Sequence, residues 1–187
     1  ASAEVEFNGE KLTLPALSAF MENTDRETRK KAYHANHGFF AAHEKEFDDL
    51  YDKLVKVRTR IAQKLGYKNF VELGYNRMLR TDYNADMVAK FREEVLQHVV
   101  PLAVKLRERQ RVRIGVDKLK AYDLAHNFNS GNPKPHGTPE EIVANGQKMY
   151  SELSPETKTF FFFMVNNELM DLVNKKGKAA GGYCTSF

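Results

Sequence analysis

The apolar run near the end of the sequence limits most strongly what this chain can fold into. Ser154 and Pro155 are typical of a helix start, because the serine caps free amides and a first-turn proline loses no backbone hydrogen bond. The predicted helix then carries the apolar residues Phe160–Met164, Leu169, Met170 and Leu172. Such a helix is too apolar for a surface element, so we expect other parts of a protein to cover it.

A change of composition after Gly177 predicts the onset of a β-strand over residues 181–187. Here the small residues Gly181 and Gly182 precede the strand formers Tyr183, Cys184 and Thr185. The sequence offers no partner strand for this segment. We therefore expect the chain to be part of a longer protein, with both ends cut.

The rest of the chain is predicted to be mostly helical, after a short β-hairpin that turns at Asn8-Gly9. Thr24 and Glu27 have the spacing of a capping box, which would open a helical region from Asp25 to about Leu65. A break in this region is considered at Gly38. Gly66 would then close the helix as a C-cap.

Two apolar stripes with three- and four-residue spacing predict helix faces that turn toward a core. The first stripe comprises Phe47, Leu50, Leu54, Val57 and Ile61. The second stripe comprises Val88, Phe91, Val95, Val99, Leu102 and Leu106. Asn84 is expected to cap the second helix, and Pro101 within it predicts a kink because proline removes a backbone bond.

The polar, glycine- and proline-rich residues 127–138 predict a loop, after which Thr138 and Glu141 form a capping box for another helix. The sequence shows no internal repeat and no convincing linker between domains. Residues 1–187 are therefore interpreted as one helical segment of a larger domain.

Several stretches of this chain resemble the middle of oligoendopeptidase F and its relatives, zinc metallopeptidases of the thimet oligopeptidase superfamily. They are Tyr51–Gly66, Asn69–Asn84, Phe91–Leu119 and Lys120–Pro135, which contains AYD and GNPKP, and the C-terminal run ending in GGYC. The resemblance implies a mostly α-helical fold. The segment would form a helical channel-wall lobe with a short β-hairpin at its N-terminus and the start of a small β-sheet at its C-terminus.

The resemblance also implies the chemistry of the whole enzyme, which would hydrolyse short peptides by metal-activated water. Its zinc would be held by an HExxH helix and a downstream glutamate. The six histidines of this chain include no HExxH, and the nearest match, His43 to Phe47, lacks the second histidine. We therefore expect no catalytic residue and no metal ligand here, a chain that is inactive alone, and zinc bound by the parent enzyme. The remainder of the peptidase polypeptide is the expected partner.

In this family the peptide substrate pairs as an extra strand with the edge of a small sheet beside the zinc. If the resemblance holds, Gly181, Gly182, Tyr183 and Cys184 begin a strand of that sheet and are candidate substrate-binding residues. Main-chain pairing of this kind gives affinity without demanding one side-chain sequence. Whether these residues contact substrate or only pair internally stays open.

Other motifs admit sharper interpretations, but each has a simpler structural one. His34 and His37 could begin a metal site, although no third ligand is evident. The basic run Lys105, Arg107, Arg109, Arg111 and Arg113 could follow a phosphate backbone, or it could favour the helix dipole. Arg77, Arg80 and Asp82 could form a salt bridge or orient a ligand carboxylate. Asp123 is expected to be structural.

Composition limits the function classes that remain. A net charge of +4 is modest, so no nucleic-acid partner is expected. No apolar run approaches the ~18 residues of a membrane span, so no membrane partner is expected. Cys184 is the only cysteine and fits a reducing compartment, which favours a cytoplasmic location. The alternative to a peptidase segment is a non-catalytic helical scaffold or partner-binding module.

Overall fold

The computed structural model describes residues 3–179 and 181–184, and it begins with the predicted hairpin. Strands β1 (Glu4–Phe7) and β2 (Glu10–Thr13) pair in antiparallel register, with Val5 opposite Leu12. The turn residues Asn8 and Gly9 have φ angles of 54° and 83°. Such positive angles suit asparagine and glycine and match the twist of a two-residue hairpin turn. The predicted hairpin is confirmed.

The hairpin packs on helices α1 (Leu14–Met21) and α2 (Arg26–Ala42), and we call these four elements the N-terminal unit. Its core contains Phe7, Leu17 and Ala32, all buried. The ring of Phe7 also lies 4.8 Å from the ring of Phe20, centroid to centroid. Strand and helix thus bury one shared apolar surface.

The start of α2 and the predicted break at Gly38 both differ from the sequence analysis. Asp25, not Thr24, is the N-cap: its carboxylate accepts a 2.8 Å hydrogen bond from the Thr28 amide. Gly38 lies inside α2, since one glycine costs a helix only about 1 kcal/mol. The break falls five residues later, at His43.

Helix α3 (Glu44–Lys64) is followed by the short helix α4 (Phe70–Arg77). Gly66 has a φ angle of 86° and donates its amide to the carbonyl of Gln63, so the predicted C-cap is confirmed. The Tyr67 amide donates to the carbonyl of Ala62 over 2.9 Å. This closure turns the chain so that α4 packs against α3.

The next long helix is interrupted by a π turn. Helix α5 (Ala85–Glu94) runs into the π turn Val95–Val99 and then into helix α6 (Val100–Ile114). Asn84 caps α5 as predicted, its side chain accepting from the Met87 amide over 3.0 Å. Pro101 has no amide hydrogen and cannot donate the usual helical bond. The disturbance of the helix that was predicted there is the wider π turn just before it.

The two apolar stripes are open to solvent within this chain. Side chains of the first stripe are 40% to 62% exposed, and Phe91, Val99, Leu102 and Leu106 of the second are 52% to 67% exposed. The total accessible surface is 14866 Å², whereas a compact monomer of this mass would have about 9,200 Å². Both helices form as predicted, but the expectation that their stripes meet a core is wrong for this segment taken alone.

Helices α7 (Pro139–Leu153) and α8 (Pro155–Asn166) pack as a pair. The capping box of Thr138 and Glu141 is confirmed, with bonds of 3.2 Å and 2.7 Å. A side-chain carbon on Gly146 would lie 2.9 Å from the Phe161 ring, so glycine allows the close approach of the two helices. The loop predicted over residues 127–138 contains no helix or strand.

Helix α8 is shorter and more exposed than the sequence predicted. It ends at Asn166, and Leu169, Met170 and Leu172 lie outside it. The Asn167 side chain donates to the carbonyl of Phe163 over 2.9 Å and so competes for the bonds of the last turn. Phe160 and Phe163 are more than half exposed, so this helix, like the two stripes, is not covered within the described residues.

A buried ion cluster joins residues that are distant in sequence. Asp123, in the 3₁₀ turn Ala121–Asp123, has no exposed surface and pairs with Arg26 at 2.8 Å and Arg29 at 3.0 Å. Burial alone would raise the pKa of Asp123, but hydrogen bonds from Arg26, the Lys120 amide and Arg29 lower it to about 2. The structural role expected for Asp123 is confirmed: it ties the turn before the long loop to α2.

Candidate functional site

The segment after α8 leads to the predicted substrate-binding residues and is held by a basic turn. Lys176 forms a 2.7 Å ion pair with Glu4 of the hairpin. Lys175 pairs with Asp171 at 3.0 Å, and Lys178 also donates to the Asp171 and Val173 carbonyls. These contacts lower the pKa values of Glu4 and Asp171, in each case mainly through the lysine hydrogen bond. The chain therefore approaches residue 181 from beside the N-terminal hairpin.

The four predicted substrate-binding residues are exposed and form no strand. Gly181 has a φ angle of 85°, and the backbone at Gly182, Tyr183 and Cys184 is irregular. The strand onset predicted over 181–187 is therefore wrong for 181–184, while residues 185–187 lie outside the described residues. A strand is stable only when its amides and carbonyls have a partner, and none adjoins it in the described part of the chain.

The surroundings of this segment leave room for another chain. Nothing lies within 4 Å of a side-chain carbon built on Gly181 or Gly182, and 92% of the Tyr183 surface is exposed. Cys184 is exposed and has a free thiol. Substrate contact at these residues stays a prediction.

An apolar groove lies between α7, the end of α8 and residues 168–174. Its volume is about 960 Å³, and its apolar wall includes Ile142, Val143, Met164 and Leu172. The stacked rings of Tyr150 and Phe161, 4.5 Å apart, hold the two helices together nearby. The groove is thus a feature of a well-packed helix pair.

Metal binding has no support from the geometry of the described residues. Across 3–179 and 181–184, no group of three or more His, Cys, Asp or Glu side chains is placed to hold a metal ion. His37 stacks on Tyr33 at 3.8 Å and bonds the Tyr33 carbonyl, which is a structural contact. His43 joins α2 to α3 and pairs with Glu46 at 3.3 Å. These histidine contacts are structural, and no zinc ligand is assigned to the described side chains.

The basic run on α6 is largely engaged within the chain. Arg107 donates to Gln110 and to the Leu124 carbonyl, and Arg111 binds Glu108 at 2.7 Å. Arg113 donates to the Asn127 carbonyl over 2.6 Å. These arginines fasten the segment after α6 to the helix, which favours the structural interpretation over phosphate binding.

Sequence reasoning named Arg80 but could not assign it a role. Among the described residues, the ion pairs include none that joins Asp82 to Arg77 or to Arg80. The Arg80 guanidinium lies over the Tyr75 ring, 5.9 Å from the centroid. Tyr75 and Arg80 both line a cleft between α4 and the start of α5. The spacing of residues gave no signal of this cleft.

None of the described helices combines the length and the apolar composition that crossing a bilayer requires.

Comparison with known proteins identifies the family. The model of peptidase family M3 matches residues 19–187. A solved structure of PZ peptidase A with an inhibitor is 64% identical over 98% of this chain, with a TM-score of 0.94. A structure described as oligoendopeptidase F is 60% identical over 98%, also with a TM-score of 0.94. A Bacillus anthracis protein described as an oligoendopeptidase F is 56% identical over 98%, with a TM-score of 0.91.

No curated protein matches the chain. The chain spans only about a third of the length of the three solved structures, 33% or 34% in each case. The match of the family model nevertheless extends over most of the sequence and includes all helices from α2 to α8. This chain therefore belongs to peptidase family M3.

Proposed function

We propose that this chain is one helical segment of a zinc metallo-oligopeptidase, and that the whole polypeptide hydrolyses short peptides. The observation that carries the proposal is the 64% identity over 98% of the chain to a third of PZ peptidase A. A segment of this kind would form part of a channel wall. The exposed first and second stripes support this role, because their pattern suits contact with further protein.

The zinc ion would be held by parts of the polypeptide other than residues 3–179 and 181–184, whose side chains do not fit a metal site. When bound, zinc would supply an activated water for attack on the peptide carbonyl. What this chain contributes is positioning. Its basic turn holds the segment that leads to residue 181 through the ion pair of Lys176 with Glu4.

Gly181, Gly182, Tyr183 and Cys184 would offer main-chain hydrogen bonds to an extended peptide. Three features support this assignment: their backbone forms no strand with another described residue, the glycines leave space for a second chain, and Tyr183 is exposed. Strand formation here would need a partner, and a bound peptide or another strand of the whole protein would supply one. The lone exposed Cys184 is compatible with a reducing compartment, and we place the enzyme in the cytoplasm.

The test measures intact mass, bound zinc and peptide cleavage together. We expect the natural protein to exceed 21.5 kDa, to carry about one zinc per chain, and to cleave a quenched fluorescent peptide until a chelator removes the metal. The 187-residue chain should cleave none. A natural protein of 21.5 kDa without zinc, or a zinc-free protein that still cleaves, would contradict the proposal and favour a scaffold or partner-binding module.

A variant can then test the role of the C-terminal segment. In the whole polypeptide, Gly182→Pro removes a main-chain donor and should raise KM at least tenfold, the effect of about 1.4 kcal/mol of lost binding. Glu152→Gln, an exposed change on α7, is the control and should leave KM unchanged. Equal KM values for the two variants would contradict substrate pairing at Gly182.

A further inference from the structure

A cleft between α4 and the start of α5 has the size of a site for one or two peptide residues. Its volume is about 550 Å³, within the range of roughly 300 to 1,000 Å³ that small-ligand sites occupy. Apolar and aromatic side chains form one wall and include Val71, Tyr75, Tyr83 and Ala85. Its charged rim comprises Lys68, Glu72, Arg80 and Asp86. We call it the α4–α5 cleft.

Arg80 is held in place at the edge of this cleft by the way α4 ends. The Arg80 amide donates to the Tyr75 carbonyl over 2.9 Å, and the Leu79 amide donates to the Asn76 carbonyl over 3.0 Å. Leu79 between them has a φ angle of 56°, an unfavourable value for leucine. The turn fixes the Arg80 backbone beside Tyr75, and the guanidinium lies over the Tyr75 ring, 5.9 Å from its centroid. This cation–π contact places the guanidinium at the edge of the cleft, where a ligand can reach it.

The cations of the cleft have no anionic partner among the described residues. Lys68 and Arg80 form no ion pair there, although Glu72 and Asp86 line the same cleft. The α6 arginines differ, because Arg111 is paired with Glu108.

The three asparagine side chains of the cleft are already engaged. The Asn69 side chain caps α4 through a 2.9 Å bond from Val71, and the Asn84 side chain caps α5. Asn76 donates to the Tyr67 hydroxyl over 3.2 Å. The cations are therefore the strongest donors left for a ligand, and a guanidinium prefers a carboxylate that accepts two parallel bonds.

Two tyrosines complete the cleft next to Arg80. The rings of Tyr75 and Tyr83 meet edge to face, with centroids 6.0 Å apart and planes at 76°. Aromatic walls of this kind bury an apolar or aromatic side chain favourably. A carboxylate beside an apolar side chain is the chemistry of the last residue of a peptide.

We propose that the α4–α5 cleft binds the C-terminal residue of a short peptide. Its carboxylate accepts hydrogen bonds from Arg80 and Lys68, and its side chain packs on Tyr75 and Tyr83. This inference rests on the proposed function, because it takes short peptides as the ligands. It adds a site that recognises the free peptide end, at a distance in sequence from Gly181–Cys184.

The experiment compares two peptides of identical sequence that end in phenylalanine, one with a free carboxylate and one amidated. Calorimetry on the whole polypeptide measures their binding, and a cleavage assay runs in parallel. We expect the free acid to bind at least tenfold more tightly, since the amide loses the charge-assisted hydrogen bonds to the carboxylate. Arg80→Gln should remove this preference. Arg77→Gln, at the end of α4 and outside the cleft, should keep it.

The outcomes separate this site from the proposed function. Equal binding of acid and amide by the unmodified protein, or an equal preference in both arginine variants, overturns the cleft as a carboxylate site even if peptides are cleaved. A preference that depends on Arg80 in a protein that cleaves nothing supports the cleft and contradicts the peptidase proposal. If Arg80→Gln fails to fold, Lys68→Met tests the same site, and it should reduce the preference for the free acid over the amide.

Discussion

The N-terminal unit and the two long helices obtain their stability from different sources. In the N-terminal unit Leu17 and Ala32 have no exposed surface, and Arg29 meets its buried partner Asp123 from far along the chain. On α3 and on α5 and α6, the apolar stripes are about half exposed. The N-terminal unit buries its apolar side chains within this segment, whereas the two long helices expose theirs to solvent.

This difference shows that an apolar stripe indicates which face of a helix packs against other protein in the complete protein. The three solved relatives are about three times as long as this chain, and under the proposed function the additional protein would cover the stripes. Substitutions in the N-terminal unit should therefore cost stability in this chain itself. Substitutions in the stripes should cost little until the covering protein is present.

The most damaging change should be Asp123→Asn. It leaves Arg29 buried without a countercharge, and removal of one partner from a buried ion pair costs about 3 to 5 kcal/mol. Urea unfolding of the 187-residue chain measures the loss. The control is Asp117→Asn, an exposed position six residues earlier, which should change stability by less than about 0.5 kcal/mol. Matching unfolding midpoints for the two variants would refute the anchoring role of Asp123.

A pair of leucine variants tests the comparison directly. Leu17→Ala in the N-terminal core should cost about 3 kcal/mol, whereas Leu54→Ala in the first stripe should cost less than about 1 kcal/mol. Both are measured by urea unfolding at low protein concentration, with light scattering to detect association. Similar losses would break the comparison, since they would show that the first stripe is covered in solution by a second copy.

The pH dependence of stability should be a smaller effect and should come from His126, a buried residue near Arg29 of the N-terminal unit. Burial, and then the nearby Arg29 charge, lower the pKa of His126 below its ordinary value. Below that ordinary value the unfolded chain binds more protons than the folded chain, so the unfolding free energy should fall as the pH drops from 7 toward 5. His126→Gln should flatten this slope, and His136→Gln at an exposed position should not. An unchanged slope in His126→Gln would exclude this source.

The smallest effect should come from Leu79, in the less covered region. Glycine adopts its positive φ angle without strain, and the leucine side chain is 84% exposed and buries little. Leu79→Gly should therefore raise the unfolding free energy by about 0.5 kcal/mol, read as a shift in thermal midpoint. Leu79→Ala keeps the strain and serves as the control. If both variants are equally stable, backbone strain at residue 79 does not contribute to the stability of the protein.

Local signals explain most of what the sequence predicted correctly. The caps at Asn84, Thr138 and Gly66 depend on bonds between residues two to four positions apart, so a short window contains the whole interaction. The cap at α2 was misplaced by one residue because both Thr24 and Asp25 can cap. The carbonyls of Asn23 and Thr24 are occupied by Arg29, a contact that spacing alone does not reveal.

Interactions across long stretches of chain could not be predicted in this way. Arg29 and Asp123 are 94 residues apart, and no periodicity connects them. The α4–α5 cleft combines residues from Lys68 to Asp86 across two helices and the turn between them, whereas the sequence indicated only a group of charges including Arg80. The strand over 181–184 was predicted from residue types, yet a strand also needs a partner, and the described part of the chain supplies none there.

The π turn at Val95–Val99 changes what the second stripe can contact. A π turn places one additional residue in a helical turn, which rotates everything beyond it by about 100° relative to an uninterrupted α-helix. Val88 and Phe91 before the turn and Leu102 and Leu106 after it therefore point in different directions around the axis. One continuous pattern in the sequence becomes two separate faces, so a single straight helix could not cover both.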